Sequence, residues 1–364
     1  MEKALFTLVR LGLGTEQPSQ ESLHDVACLT GEQWGLIREL AEKQGVQAIV
    51  LDGVEQLKAQ DCKQTIALSQ GLLLEWIGQV MITEQANQQQ LKVMNDLSSK
   101  WVESGCRVMI MKGQANGVLY PHPNHRSTGD IDCYLFENYA KGNEIARDAG
   151  AVVDESWYKH SVISYKGETF ENHQYFVHTR DGKRGKRLNQ ELVDQLNVES
   201  SEFKKMPAST SVVLPPIQWN AMFLTYHACA HFVSEGLRLK QILDWAMFLN
   251  SHQNDVDWTA FYGFCERNHL KRFADAMTAI AVKYIGIKIT NTAIVSEGAY
   301  ADKIIHSALY DEDYVFGSGK GNWYNRLHLI SNMFHYRWKY EEIYQTSVWK
   351  QLWWYATGYI FKTE

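Results

Sequence analysis

Four consecutive apolar residues, Val108-Met109-Ile110-Met111, run straight into Lys112-Gly113, and farther along Asp130-Ile131-Asp132-Cys133 alternates acid with apolar residue. The first run is short and continuous enough for a buried strand. In the second, side chains alternate across the strand, so Asp130 and Asp132 point one way, toward solvent, while Ile131 and Cys133 enter the packed layer. Between the two lie a short amphipathic segment ending at Tyr120 and a loop punctuated by Pro121 and Pro123, from which Arg126 emerges. Two carboxylates on one face, with a lysine, a glycine turn and an arginine beside them, suit a divalent cation carrying polyphosphate.

The flanks have a different texture. Residues 1–100 read as helical. Thr30-Gly31-Glu32-Gln33 caps a helix with the apolar face Trp34, Ile37, Leu40 and Ala41, and Gly45 ends it. From Lys63 to Ser98 only Gly71 and Gly78 interrupt a helical recurrence of Leu72, Trp76, Val80, Leu91 and Met94, which predicts one long helix or two stacked ones. Over residues 101–205 short apolar runs alternate with helical pieces: Val108 to Met111, Ile131 to Phe136, Ala140 to Ala149 and Ala151 to Asp154. An extended stretch follows, Ser161 to Thr179, with a Lys166-Gly167 turn inside it. A helix is expected around Gln190 to Val198, then a polar connection to Pro207. Residues 206–364 return to helical spacing, opening at Pro216 with the stripe Trp219, Met222, Phe223, Tyr226, Ala230 and Val233. The expected fold is therefore α+β, a small mixed-sheet core flanked by N-terminal and C-terminal helical regions.

Composition narrows the function. The formal charge is −6, so no global bias draws the chain to nucleic acid, and a polyanionic partner has to be met by a local basic patch. No window of about eighteen apolar residues predicts a membrane span. The N-terminal residues lack the apolar run and cleavage site of a secretory signal. Six scattered cysteines without a CxxC pair fit a reducing, cytoplasmic setting.

Lys112-Gly113 followed by Arg126-Ser127-Thr128-Gly129-Asp130-Ile131-Asp132 resembles the signature of the DNA polymerase β-like nucleotidyltransferase superfamily, and within it the uncharacterised bacterial nucleotidyltransferase family. Phe170-Glu171-Asn172-His173 stands where that family has its Glu-Leu-His strand. His227, His231 and the segment from Leu237-Arg238 to Asp244 match more loosely. The resemblance implies a nucleotidyltransferase-like core over 101–205. It also implies transfer of a nucleoside monophosphate from a nucleoside triphosphate to a hydroxyl acceptor, with Mg²⁺ or Mn²⁺ as cofactor. Asp130 and Asp132 would be metal ligands and Glu171 the third catalytic carboxylate. Glu168 is the rival for that place, and its odd spacing from Glu171 lets only one of them join the aspartates. Lys112, Gly113, Gln114 and Arg126 would contact the nucleotide, although the superfamily usually has serine where this chain has Gln114. Two other readings stay open: a degenerate member that binds nucleotide without transferring it, and an interaction protein whose aspartates only solvate a strand end.

The remaining motifs read more plainly. His173 is expected to be a satisfied, partly buried histidine, and His227 and His231, four apart on a helix, to make core or interdomain hydrogen bonds rather than one side of a zinc site. His122 and His125 read as solvated loop residues. The basic run Arg180 to Arg187 is a solvated loop or a polyphosphate groove adjoining the Glu171 strand. Gly317 to Gly321 lacks the spacing of a phosphate loop, and the cluster Trp349, Trp353 and Trp354 reads as core packing.

Overall fold

The computed structural model describes residues 1–59, 66–179, 182–311 and 322–353. Helices α1 (Glu2–Leu13), α2 (Gln20–Ala27), α3 (Gly31–Lys43) and α4 (Gln47–Ala59) open the chain. The Thr30 capping box forms: Thr30 Oγ1 accepts from Gln33 N at 3.3 Å and Thr30 N donates back to Gln33 Oε1 at 2.8 Å. Helices α1 and α4 cross at glycines. A Cβ on Gly12 would lie 2.0 Å from the Ile49 oxygen, and one on Gly53 2.0 Å from the Leu8 oxygen, so only glycine lets these backbones touch.

The glycine-poor stretch becomes one helix, α5 (Gln70–Glu103), capped by Ser69. Its first half buries Trp76 and Val80 among the N-terminal helices, and its second half lays Val93, Met94, Leu97 and Trp101 beneath the sheet. Then follow β1 (Met109–Met111), the single turn α6 (Gly113–Gly117), β2 (Ile131–Tyr134), α7 (Tyr139–Asp148), β3 (Val152–Asp154), β4 (His160–Tyr165) and β5 (Glu168–His173). The strands form one mixed sheet in the order β1-β2-β5-β4-β3. Only β2 and β5 run parallel. Val213 closes the outer edge of β1, its N–H donating to the Val108 oxygen and its own oxygen accepting from Ile110.

Register decides which residues share a face. Lys166 and Gly167, both at positive φ, form the two-residue turn of a β4–β5 hairpin. That turn sets His160 opposite His173 and Val162 opposite Glu171. Asp132 pairs with Glu171 across β2 and β5. Alternation then puts Asp132, Glu171, His173 and His160 on one face. Ile131, Cys133, Ile163 and Phe170 occupy the other, buried against α5 and its neighbours.

The basic run departs from expectation. From Gly182 on it is helix α8 (Gly182–Asp194), a longer element than the predicted one, because Leu188 and Leu192 supply a buried stripe. Helix α9 (Ile217–Ser234) starts directly after Pro216 and is apolar on nearly every side. It is followed by α10 (Leu239–His252), α11 (Trp258–Arg267), α12 (Lys271–Lys283), α13 (Ala301–Tyr310) and α14 (Asn322–His335). The α+β architecture with helical flanks is the expected one. Packing nevertheless joins what the chain separates, since α1–α4 and α9–α13 bury into a single core while the sheet and the second half of α5 form another. Trp349 and Trp353 are exposed rather than packed in a core. Trp354, Arg180 and the run Gly317 to Gly321 lie outside the described residues. No helix among the described residues is long and apolar enough to cross a membrane.

Candidate active site

The acid-bearing face of the sheet looks into a cavity of about 440 Å³ closed over by α9 and α10. Asp130, Asp132 and Glu171 all line it. Glu168 does not: its carboxylate lies 3.4 Å from Gln90 Nε2 on α5. The two aspartates are unequal. Asp130, just ahead of β2, is exposed, whereas Asp132 is buried and does not face solvent as alternation alone suggested. Asp132 sits at the foot of the cavity because Lys112 and His173 neutralise it there. Lys112 forms an ion pair with Asp132 Oδ1, and His173 Nε2 lies 2.8 Å from the same oxygen. Burial alone would raise the Asp132 pKa, but Lys112 and His173 outweigh it and hold the carboxyl well below its ordinary value. At Asp130 partial burial, with Glu171 and Asp132 as negative neighbours, pushes the pKa up. Glu171 is drawn down despite its burial, chiefly by the His173 hydrogen bond.

Lys112 reaches Asp132 from an unusual backbone. It follows β1 directly, at φ 52° and ψ −133°, a conformation a non-glycine residue rarely adopts. Gly113 then starts α6 within the cavity lining. Two expected nucleotide contacts are placed otherwise. Gln114 does not line the cavity; its amide donates to Gln90 Oε1 at 2.9 Å on α5. Arg126 does line it, yet its fork is spent on Asp244 of α10, with Nε to Oδ1 at 2.8 Å and Nη2 to Oδ2 at 2.7 Å. The extra carboxylate is the physical reason: a guanidinium buried at 6% exposure needs a partner, and α10 supplies one.

Several lining residues went unrecognised in the sequence. Lys159 and Lys240 enter the cavity without a carboxylate partner among the described residues. Burial and the nearby Lys112 bring Lys159 down to about 8, and burial with Arg126 also lowers Lys240. His160 and His178 are both lowered to about 4, first by burial, and so are neutral near pH 7. His227 and His231 line the same wall, with ring centres 4.4 Å apart. Burial and Lys112 keep His227 well below its ordinary value. The basic helix α8 stands elsewhere. Lys183, Arg184 and Arg187 line a different cavity with His269 and Lys350, so the groove expected beside the Glu171 strand is not formed by these residues.

The motif loop is anchored by His125, which is not simply solvated. Its Nδ1 lies 2.7 Å from Asp52 Oδ2 on α4 and its Nε2 2.9 Å from Glu84 Oε1 on α5. The Asp52 hydrogen bond, against some loss from burial, raises its pKa from 6.5 to about 9, with Glu84 adding to the rise. A raised folded-state pKa contributes stability that is complete below pH 6.5 and is lost as pH climbs through about 9. Up to about 3 kcal/mol of unfolding free energy is expected to disappear across that window. Urea unfolding at both ends of the window checks this, and His125→Gln should flatten the difference. Equal pH dependence in the two proteins would rule the anchor out.

Fold and site together define a class: an α+β protein whose sheet presents carboxylates and imidazoles to a cavity walled by lysines. Residues 30–286 match the family described as uncharacterised nucleotidyltransferase, and the chain belongs to that family. The match begins at the cap of α3 and ends just past α12, so it takes in the flanking helices as well as the sheet. No curated protein and no solved structure matches the chain.

Proposed function

We propose that the chain is a Mg²⁺-dependent nucleotidyltransferase that moves a nucleoside monophosphate from a nucleoside triphosphate to a hydroxyl acceptor. One observation carries the reading: Asp132 and Glu171 are register partners on parallel strands, and Asp130 opens onto the same cavity. The donor set fits a hard cation. Three carboxylates converge, and the most buried of them already attracts the ammonium of Lys112. Asp130 and Asp132, completed by Glu171, would hold Mg²⁺ or Mn²⁺. When bound, the ion neutralises charge on the phosphates.

The chain's own residues do the rest by position and charge. Lys112, Lys159 and Lys240 bring cationic groups to the wall where phosphate oxygens would lie. Gly113 lets backbone approach the phosphates. The acceptor oxygen attacks the α-phosphorus, the bond from that phosphorus to the bridging oxygen breaks, and pyrophosphate leaves with the bonding electrons. The hydroxyl proton passes to Glu171, which is held ionised by its neighbours.

Nucleotide binding without turnover is the competing reading: with Arg126 committed to Asp244 and Gln114 to α5, fewer groups are left to hold the triphosphate in a reactive pose. Incubating the full chain with Mg²⁺, each triphosphate and a panel of sugar, lipid, protein and RNA hydroxyls separates the two. Pyrophosphate release with an acceptor heavier by one nucleoside monophosphate supports transfer. Saturable binding with no pyrophosphate on any acceptor supports the binding reading.

A further inference from the structure

Both ring nitrogens of His173 face acceptor oxygens, an arrangement that a second ring proton satisfies in the metal-free chain and that a bound cation would also satisfy. Its ring is completely enclosed, and Nδ1 lies 3.2 Å from the carbonyl oxygen of Tyr175. A carbonyl only accepts, so Nδ1 bears a proton. In a neutral ring Nε2 is then a bare lone pair. Yet Nε2 faces Asp132 Oδ1 at 2.8 Å and Glu171 Oε2 at 3.3 Å, and both of these are acceptors too. Either a second ring proton or a metal ion has to stand among them. Lys112 answers only part of this, because its ion pair is with Asp132. Among the described residues, Glu171 has only two imidazoles as ion-pair partners, His173 and His160.

His160 completes the arrangement from the neighbouring strand. Its Nε2 lies 3.4 Å from Glu171 Oε1, and its buried Nδ1 has no hydrogen-bond partner. One ligand atom from each of His160, Glu171 and His173 falls within 4.8 Å of the others. The His173 Nδ1 contact to a backbone carbonyl is the outer hydrogen bond that orients metal-bound histidines.

We propose that His160, Glu171 and His173, with Asp132 alongside, form a divalent transition-metal site of mixed nitrogen and oxygen ligands, next to the all-oxygen position built on Asp130 and sharing its other two carboxylates. Imidazole ligands suit zinc, cobalt and nickel, whereas Mg²⁺ keeps to oxygen. The site shares Glu171 and Asp132 with the proposed reaction but does not rest on it.

The test titrates the full chain, stripped with a chelator, with Co²⁺ while its visible absorption is recorded, and with Zn²⁺ in a calorimeter. Nitrogen ligation is expected to give a Co²⁺ spectrum unlike that of the aqueous ion, and excess Mg²⁺ should not displace the metal. His160→Gln should weaken Zn²⁺ at least about 10–100-fold, the loss that even outer contacts to a metal ligand cause. Glu168→Gln, altered outside the cavity, should leave it unchanged. His173→Gln serves as a second arm if circular dichroism shows it folded, and the wild-type Co²⁺ spectrum decides by itself if it is not. An aqueous-type Co²⁺ spectrum indifferent to His160→Gln, or ready displacement by Mg²⁺, overturns the site. The two proposals fail separately: metal binding without pyrophosphate release removes only the transferase, and release with no Co²⁺ signal removes only this site.

Discussion

Replacing Asp130 and Asp132 together by asparagine is expected to remove Mg²⁺-dependent nucleotide binding and to lower turnover by at least about 10²–10³-fold, the scale of losing one aligned electrostatic contact at a reacting centre. Asparagine keeps the shape of each side chain and deletes the charge that a hard cation requires. The costs to the fold differ between the two positions. Asp130 is exposed and its carboxylate makes no hydrogen bond or ion pair among the described residues, so its single substitution should leave the thermal midpoint nearly unchanged. Asp132 is buried against Lys112 and His173, and an amide there still accepts from Lys112 but no longer balances its charge. A penalty of about 1–3 kcal/mol is expected at that position. Calorimetric titration with Mg-nucleotide, run beside thermal melts of the single and double variants, reads both effects. Undiminished nucleotide affinity in a folded double variant would falsify the assignment.

Part of this arrangement is legible in the residues alone. The apolar run ahead of Lys112-Gly113 and the alternation around Ile131 carry strand geometry in a handful of positions, because a period of two needs few residues to declare itself. The separation of Glu168 from Glu171 also follows from that period, and the structure sends Glu168 toward α5 while Glu171 lines the cavity. His160 was within reach. A two-residue turn at Lys166-Gly167 fixes hairpin register, and that register sets His160 across from His173. Lys159 and Lys240 left no comparable trace, since a lysine on a surface and a lysine on a cavity wall look alike until α9 and α10 are packed over the sheet. The basic run misled for a similar reason. Its charges suggested a loop, while Leu188 and Leu192 at helical spacing, with burial to satisfy, made it α8.

The Arg126–Asp244 pair is where the motif loop and the C-terminal helices become one structure, and Asp244→Ala is expected to cost about 3–5 kcal/mol, the usual price of orphaning one half of a buried ion pair. Asp244 accepts two hydrogen bonds from the Arg126 fork and one from the Tyr120 hydroxyl at 2.8 Å, with Asn116 Nδ2 at 3.4 Å. Removing the carboxylate leaves a guanidinium enclosed without countercharge and a phenol without its acceptor. Burial opposes the charge on Arg126, but Asp244 more than compensates and raises its pKa. The expected signature is a lower urea midpoint with an unchanged slope. A second substitution distinguishes a broken pair from a general packing defect. Arg126→Met in the Asp244→Ala background removes the stranded charge, so the double variant should recover part of the lost stability, giving a coupling energy between neighbours of about 1–3 kcal/mol. If the double variant is as unstable as the sum of the two single ones, the pair is not what joins α10 to the loop. If nucleotide binding recovers together with stability in this variant without a guanidinium, Arg126 serves the site by holding Lys112, Gly113 and Asp130 in place through α6 and the motif loop, and its fork need never touch phosphate.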